Sequence, residues 1–150
     1  MNQFSQLSKT KLSECHDDLI LIANKAITDS PYDFKITEGH RSPQRQFELY
    51  KKGRTLFGEK WVITDKSKVV TNVDGITNMS KHNHKPSKAF DIQVIVNGKG
   101  TWIPKYYKPV ASHIESIAEK LLLEGEVSKK IRWGGNFKTL VDMPHFEIKY

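Results

Sequence analysis

Apolar side chains recur at helical spacing along the first part of the chain. They predict a helix from about Leu7 to Thr28, which Ser30-Pro31 ends because proline cannot continue a helix and biases the preceding residue away from it. Alternation around Phe34 and Ile36 then predicts a short strand. The apolar stripe of the predicted helix consists of Leu12, Cys15, Leu19, Ile22 and Ala26.

A second helix is predicted from Ser42-Pro43 to about Lys52, with proline in its first turn and Gly53 as its stop signal. The segment from Gly53 to Met79 is the least regular part of the chain. It contains two candidate short strands, at Trp61-Val62-Ile63 and at Val69-Val70. A long irregular segment of this kind is typical of a functional loop beside a site.

The remainder of the chain predicts three strands and one helix. The strands are Ala89–Val96, which Asn97-Gly98 turns back as a hairpin, then 131–133, and finally Pro144–Lys149. The helix extends from Pro109 to Glu124. Segregated helices and a few antiparallel strands predict an α+β fold, and the absence of a linker or repeat predicts a single domain over residues 1–150.

Two of these strands carry polar residues that suit metal binding. Side chains alternate across a strand, so Asp91 lies on the face opposite to Phe90 and Ile92. The last strand repeats the arrangement, with His145 and Glu147 opposite its apolar residues. If the two strands are neighbours, Asp91 and His145 converge, and the loop before Ala89 can supply a histidine. Such a set with a water molecule is a workable tetrahedral zinc site, although each residue alone also fits an ordinary structural role.

The composition of the chain limits the class of protein and the kind of zinc site that it can form. Among the 150 residues, 37% are hydrophobic and 27% are charged, which is typical of a globular protein, and no apolar run reaches the length of a membrane span. Cys15 is the only cysteine, so an internal disulfide and a thiolate zinc site are both excluded. Histidine and carboxylate ligands favour a catalytic over a structural zinc site. The N-terminus shows no secretory signal, which predicts synthesis in the cytoplasm.

The formal net charge of +7 and the pI of about 9.4 predict attraction to polyanions. Nucleic acid, anionic lipid and anionic cell-wall polymer all satisfy this condition. The chain has no arginine-rich tract, no helix-turn-helix and no series of stacking aromatics, so we expect no nucleic-acid partner. We likewise expect no stable membrane insertion.

Several short motifs in fixed order resemble the zinc peptidases of the D-alanyl-D-alanine carboxypeptidase superfamily. The resemblance is closest to the L-alanyl-D-glutamate peptidases that phages use as endolysins. It implies a Hedgehog/DD-peptidase-like fold, in which helices pack on one side of a small antiparallel sheet. The motifs are Glu38-Gly39-His40-Arg41-Ser42, Ser80-x-His82 with Ala89-x-Asp91, Trp133-Gly134-Gly135, and Asp142-x-Pro144-His145-Phe146-Glu147.

The resemblance implies a role for each matching residue. His82, Asp91 and His145 would be the zinc ligands, and Asp142 the catalytic acid and base. Arg41 would bind substrate or stabilise the oxyanion. Three further residues are expected on the substrate side of the site, namely Ser80, Gln46 and His84. Glu147 would support a ligand or point into solvent.

The first histidine ligand has two candidates. The commoner family spacing of six residues between histidine and aspartate would select His84, whereas the Ser-x-His motif selects His82, with eight residues between. We favour His82, because the segment Ser80–Asn83 resembles a family variant with this longer loop.

These features together predict a zinc-dependent peptidoglycan peptidase that cuts the L-alanyl-D-glutamate bond of stem peptides and lyses the host of a phage. The enzyme would be a monomer made in the host cytoplasm, and a holin would give it access to the wall. One alternative is a D-alanyl-D-alanine carboxypeptidase or dipeptidase on the same scaffold. Another is a non-catalytic wall-binding module.

Overall fold

The computed structural model describes residues 1–150 and contains four α-helices and seven β-strands. The helices are α1 (Gln6–Leu12), α2 (Asp17–Ile27), α3 (Pro43–Lys51) and α4 (Tyr107–Leu123). The strands are β1 (Asp33–Glu38), β2 (Arg54–Phe57), β3 (Lys60–Ile63), β4 (Ala89–Val96), β5 (Lys99–Thr101), β6 (Lys130–Trp133) and β7 (His145–Lys149).

The main sheet has the order β1-β4-β7-β6, and β5 pairs with the end of β4. All of its pairs are antiparallel. Its apolar face, which includes Phe90 and Ile92 of β4, packs in one core with Ile22 of α2 and Ile114 of α4. The predicted α+β fold is therefore confirmed, with the opposite face of β4 and β7 left for polar residues.

The predicted helix from Leu7 to Thr28 is wrong in one respect, because the structure divides it into α1 and α2. The chain turns at Cys15, which forms an isolated bridge with Ser87, and the ring of His16 accepts a hydrogen bond from the Asp18 amide to cap α2. Cys15 is buried, and burial raises the pKa of its thiol to about 12, as expected for a small core residue.

The irregular segment after α3 forms a separate two-stranded sheet, in which β2 pairs with β3. The strand at Trp61-Val62-Ile63 is thus confirmed, whereas β2 was not predicted. The predicted strand at Val69-Val70 is wrong, because a 3₁₀ turn at Lys66–Lys68 leads into irregular backbone there. Gly53 adopts a φ of 79°, which fits its predicted role as the stop of the preceding helix.

The second half of the chain follows the sequence pattern closely. Strand β4 has the predicted bounds, and Asn97 and Gly98 both adopt positive φ in the turn that returns it to β5. Helix α4 begins two residues before the predicted Pro109. None of the helices combines the length and the apolar composition that crossing a bilayer requires.

Candidate active site

Strands β4 and β7 place Asp91 and His145 directly opposite each other. The neighbouring hydrogen bond from the Ile92 amide to the Pro144 carbonyl makes them a non-hydrogen-bonded pair, in which the two side chains approach more closely. The distance between His145 Nδ1 and Asp91 Oδ1 is 3.0 Å. The strand pairing that the sequence left conditional is therefore present, and it brings the two residues together.

His82 completes the cluster from a 3₁₀ turn, Lys81–Asn83, that precedes β4. Ser80 and Asn83 cap this turn reciprocally, and the Asn83 amide donates to the Arg41 carbonyl. His82 Nε2 lies 3.1 Å from Asp91 Oδ1 and 3.2 Å from His145 Nδ1. His84 lies two residues further on, half-buried, outside this cluster.

The outer hydrogen bonds fix which ring nitrogen faces the cluster. His82 Nδ1 donates to the Gly39 carbonyl at 2.7 Å, and His145 Nε2 donates to Glu147 at 2.8 Å. With those nitrogens protonated, the neutral rings turn lone pairs toward each other and toward the Asp91 carboxylate. Three acceptors about 3 Å apart are stable together only if a cation lies between them.

The donor set fits a zinc ion. Zinc–nitrogen distances of about 2.0–2.1 Å in a tetrahedron put neighbouring ligand atoms about 3.3 Å apart. The three observed separations of 3.0, 3.1 and 3.2 Å are close to that value. Only three protein ligands converge, which is the composition of catalytic rather than structural zinc sites.

The electrostatics of the cluster also favour positive charge. Burial lowers the pKa of His145, but its hydrogen bonds to Asp91 and Glu147 outweigh burial and raise the pKa to about 10. Burial would raise the pKa of Asp91, yet the contacts with His82 and His145 hold it well below its usual value. A proton or a metal cation can supply the charge that this site requires.

Asp142 lies beside the cluster at the end of a loop that enters β7. Its Oδ2 is 3.9 Å from His145 Nδ1, and its side chain is 44% exposed. Desolvation raises the pKa of this carboxyl group, and the nearby Asp91 raises it further. The predicted acid and base is therefore adjacent to the ligands and accessible from solvent.

The Trp133-Gly134-Gly135 motif holds the Asp142 loop in place. The Trp133 indole donates to the Met143 carbonyl at 2.6 Å, and the Asp142 amide donates to the Gly134 carbonyl at 2.9 Å. A Cβ on Gly134 would lie 2.2 Å from the Asp142 carbonyl oxygen. Only glycine allows the two segments to approach this closely.

Arg41 is held by three partners at the edge of the cluster. Its guanidinium donates to both oxygens of Glu38, to Gln46 Oε1 at 2.9 Å and to Asp91 Oδ2 at 3.5 Å. Burial would lower the pKa of Arg41, but the bidentate contact with Glu38 outweighs it and raises the pKa. One Nη1 hydrogen of Arg41 has no acceptor in the protein.

Gln46 has a supporting position. Its side chain is completely buried, and its amide nitrogen donates to Thr71 Oγ1 at 3.1 Å and to the Val73 carbonyl at 2.8 Å. Every hydrogen-bonding atom of this side chain therefore has a protein partner. The structure places Gln46 behind Arg41, where it joins α3 to the loop at Thr71–Val73.

Glu147 supports the site through a contact that sequence reasoning did not identify. Its Oε2 accepts two hydrogen bonds from Arg132, at 3.1 and 2.9 Å, while its Oε1 accepts from His145. Arg132 also lies over the Phe137 ring, which packs against His145. The signal for this pair is the register of β6 and β7, in which Arg132 and Glu147 are direct partners.

The cluster opens into a cavity of about 490 Å³. Of the predicted site residues, Arg41, Ser80, His82, Asp91, Asp142 and His145 line it. Gln46 and His84 do not. The walls also include Leu49, Val70 and Met79, so the irregular segment after α3 does border the site.

The chain is similar to known peptidases in sequence and in fold. The sequence model of a family described as phage L-alanyl-D-glutamate peptidase matches residues 1–149. The peptidoglycan L-alanyl-D-glutamate endopeptidase CwlK of Bacillus subtilis (strain 168) is 32% identical over 139 residues, which are 84% of this chain and 64% of CwlK. The chain thus spans less than two thirds of that relative.

The crystal structure of the L-Ala D-Glu endopeptidase ChiX of Serratia marcescens superimposes with a TM-score of 0.70. The match covers 99% of this chain and 91% of ChiX at 24% sequence identity. This likeness establishes a shared fold.

Proposed function

Because the chain belongs to the phage L-alanyl-D-glutamate peptidase family, we propose that it is a zinc-dependent peptidase that hydrolyses the L-alanyl-D-glutamate bond of peptidoglycan stem peptides. The observation that carries this proposal is the convergence of His82, Asp91 and His145 within 3.2 Å, beside Asp142 and inside an open cavity. A peptidase of this class needs those elements in one place.

The three converging side chains would hold the metal, through His82 Nε2, His145 Nδ1 and Asp91 Oδ1. When bound, zinc supplies Lewis-acid activation of water and of the scissile carbonyl group. The Gly39 carbonyl and the Glu147 carboxylate keep both imidazole rings in the tautomer that this requires.

Asp142 would carry the proton transfers. As a carboxylate it takes a proton from the attacking water, and as a carboxylic acid it returns that proton to the nitrogen of the departing D-glutamyl residue. Its position 3.9 Å from His145 Nδ1, with nearly half of its side chain exposed, lets the same group reach both the water and the substrate.

Arg41 and Ser80 would position the substrate. The free Nη1 hydrogen of Arg41 can donate to a substrate carbonyl oxygen as negative charge develops there. The Ser80 hydroxyl accepts from the His82 amide and lines the cavity, which leaves its proton available to substrate. Gln46 would act indirectly by fixing Arg41, and His84 would remain outside the contact region.

We extend the proposal to a role in host lysis. The enzyme would be a zinc-containing endolysin, present as a monomer in the host cytoplasm until a holin releases it to the wall. The net charge of +7 supports an attraction to the anionic wall.

The test is digestion of purified peptidoglycan by wild-type protein, Asp142→Asn and Asp17→Asn, each loaded with zinc. Asp17 is an exposed carboxylate at the start of α2 and serves as the matched control. Wild type and Asp17→Asn should release peptides with new D-glutamyl amino termini, and Asp142→Asn should be slower by about 10²–10⁴-fold, with unchanged zinc content.

A chelator should abolish release, and zinc should restore it. Loss of terminal D-alanine instead of new D-glutamyl termini would assign the carboxypeptidase alternative. Binding to the wall without any cleavage would assign the non-catalytic one. Peptide release that is unaffected by the chelator and by the Asp142 substitution would refute the mechanism.

A further inference from the structure

The cavity is lined by four permanently cationic side chains, and one of them has no acidic partner. Arg41, Arg45 and Arg132 each contact a carboxylate of the protein. Lys81 lines the same cavity with no carboxylate within 4.0 Å of its ammonium group. The charge of Lys81 is therefore available to a ligand.

Lys81 is the chain neighbour of the candidate ligand His82. It lies in the 3₁₀ turn directly before His82, so its backbone is fixed by the same capping contacts that fix the ligand. Its Nζ lies 3.9 Å from the centre of the ring of Tyr150, a residue that is 72% exposed. Lys88 shares that ring at 4.8 Å. A contact with an exposed ring, shared with a second cation, is weaker than a charge-assisted hydrogen bond to a carboxylate.

The substrate of the proposed reaction carries such a carboxylate. Glutamate has two carboxyl groups, and only one of them continues the peptide. The other is free and lies within a few bonds of the nitrogen that leaves the scissile amide. A flexible lysine stem beside a metal ligand can reach a group at that distance from the scissile bond.

We propose that Lys81 binds the free carboxylate of the D-glutamyl residue and so selects acidic over amidated stem peptides. This inference rests on the proposed function, because it assigns a partner to the residue that follows the scissile bond. When the substrate binds, the Lys81 ammonium group leaves the Tyr150 ring for the carboxylate, which is the stronger partner. Each of the other permanently cationic side chains of the cavity already contacts a carboxylate of the protein.

The experiment compares two synthetic stem peptides that differ only in the glutamyl group, free carboxylate in one and carboxamide in the other. Wild type loaded with zinc should cleave the acidic peptide with a kcat/KM about tenfold higher, the ratio that one charge-assisted hydrogen bond at the lower end of its usual strength produces. Lys81→Met should lower kcat/KM for the acidic peptide to the level of the amide, without changing the rate on the amide.

Lys88→Met is the matched control, because it removes a lysine from the same Tyr150 ring without altering the cavity wall. It should keep the tenfold preference, as should Lys81→Arg, which preserves the charge. Zinc content measured for every variant shows whether the turn that carries His82 is intact.

Equal cleavage of both peptides by wild type would overturn the inference and leave the proposed function standing. The inference is also overturned, with the proposed function intact, if Lys81→Met slows both peptides equally or if Lys88→Met removes the preference as well. If zinc-loaded wild type cleaves neither peptide, the proposed function fails, and the role of Lys81 fails with it.

Discussion

Each of the three proposed ligand side chains is oriented by a specific hydrogen-bond partner outside the cluster. His82 is fixed by the Gly39 carbonyl, His145 by Glu147, and Asp91 Oδ2 receives a hydrogen bond from Arg41. These contacts orient the three candidate ligand atoms toward one another. The arrangement lowers the cost of ordering the site when a metal binds, because little rotamer freedom remains to be lost.

The choice between His82 and His84 leads to a direct prediction at the level of residues. His82→Ala should lose stoichiometric zinc, because it removes one of three ligands, whereas His84→Ala should bind zinc as wild type does. Metal content after dialysis against a weak competing chelator measures the difference. Loss of zinc from His84→Ala, with zinc retained by His82→Ala, would identify His84 as the first histidine ligand.

The sequence could predict which strand faces carry Asp91 and His145 because strand alternation is a local rule, whereas the choice of His82 came from the family resemblance. The apolar residues beside Asp91 and His145 are enough to assign each of them to the polar face of its strand. The partners Glu38 and Arg132 could not be assigned in this way. Arg132 meets Glu147 only through the pairing of β6 with β7, and the local pattern of neither strand specifies that pairing.

At the level of elements, the close packing of Gly134 against the Asp142 loop supplies a second prediction. Gly134→Ala would place a Cβ 2.2 Å from the Asp142 carbonyl oxygen and 3.0 Å from His145 Cβ, so the loop must move. A displacement of about 1 Å in a catalytic group can reduce kcat about 10²-fold. We expect a loss of this size at saturating zinc, with the overall fold retained by circular dichroism.

Gly125→Ala provides the comparison for that experiment. Gly125 also requires glycine, since its φ is 75°, but nothing lies within 4 Å of the position of an added Cβ. This variant should lose about 1 kcal/mol of stability with unchanged kcat. Equal kcat values for the two alanine variants would show that Gly134 does not position Asp142.

The break between α1 and α2 shows where local pattern is insufficient. The five apolar residues of the predicted stripe are all buried, although they belong to two helices and a turn. Helical spacing continues in phase across the break because both helices face one core. The break occurs at the bridge from Cys15 to Ser87. The helical spacing of apolar residues cannot predict this contact, because its two residues are far apart in the chain.

At the level of the whole molecule, the proposed metal-binding cluster joins distant parts of the chain. Its proposed ligands come from positions 82, 91 and 145, and the residues that support them come from β6, β7 and the loop before α3. Composition could predict only that the ligands are histidine and carboxylate. Positions 91 and 145 are far apart in the chain, and they meet because β4 and β7 are neighbours in the sheet.

This linkage predicts that zinc stabilises the whole fold. A ligand that binds only the folded state adds about 4.1 kcal/mol at a free concentration 1,000-fold above its Kd. For a protein of this size, that corresponds to a rise in Tm of roughly 8–16 °C between chelator-treated and zinc-loaded protein, measured by calorimetry. Asp142→Asn should show the full rise, because it keeps all three ligands, while His145→Ala should show almost none. A Tm that is independent of zinc in wild type would mean that the three side chains do not bind the ion, whatever the activity of the preparation.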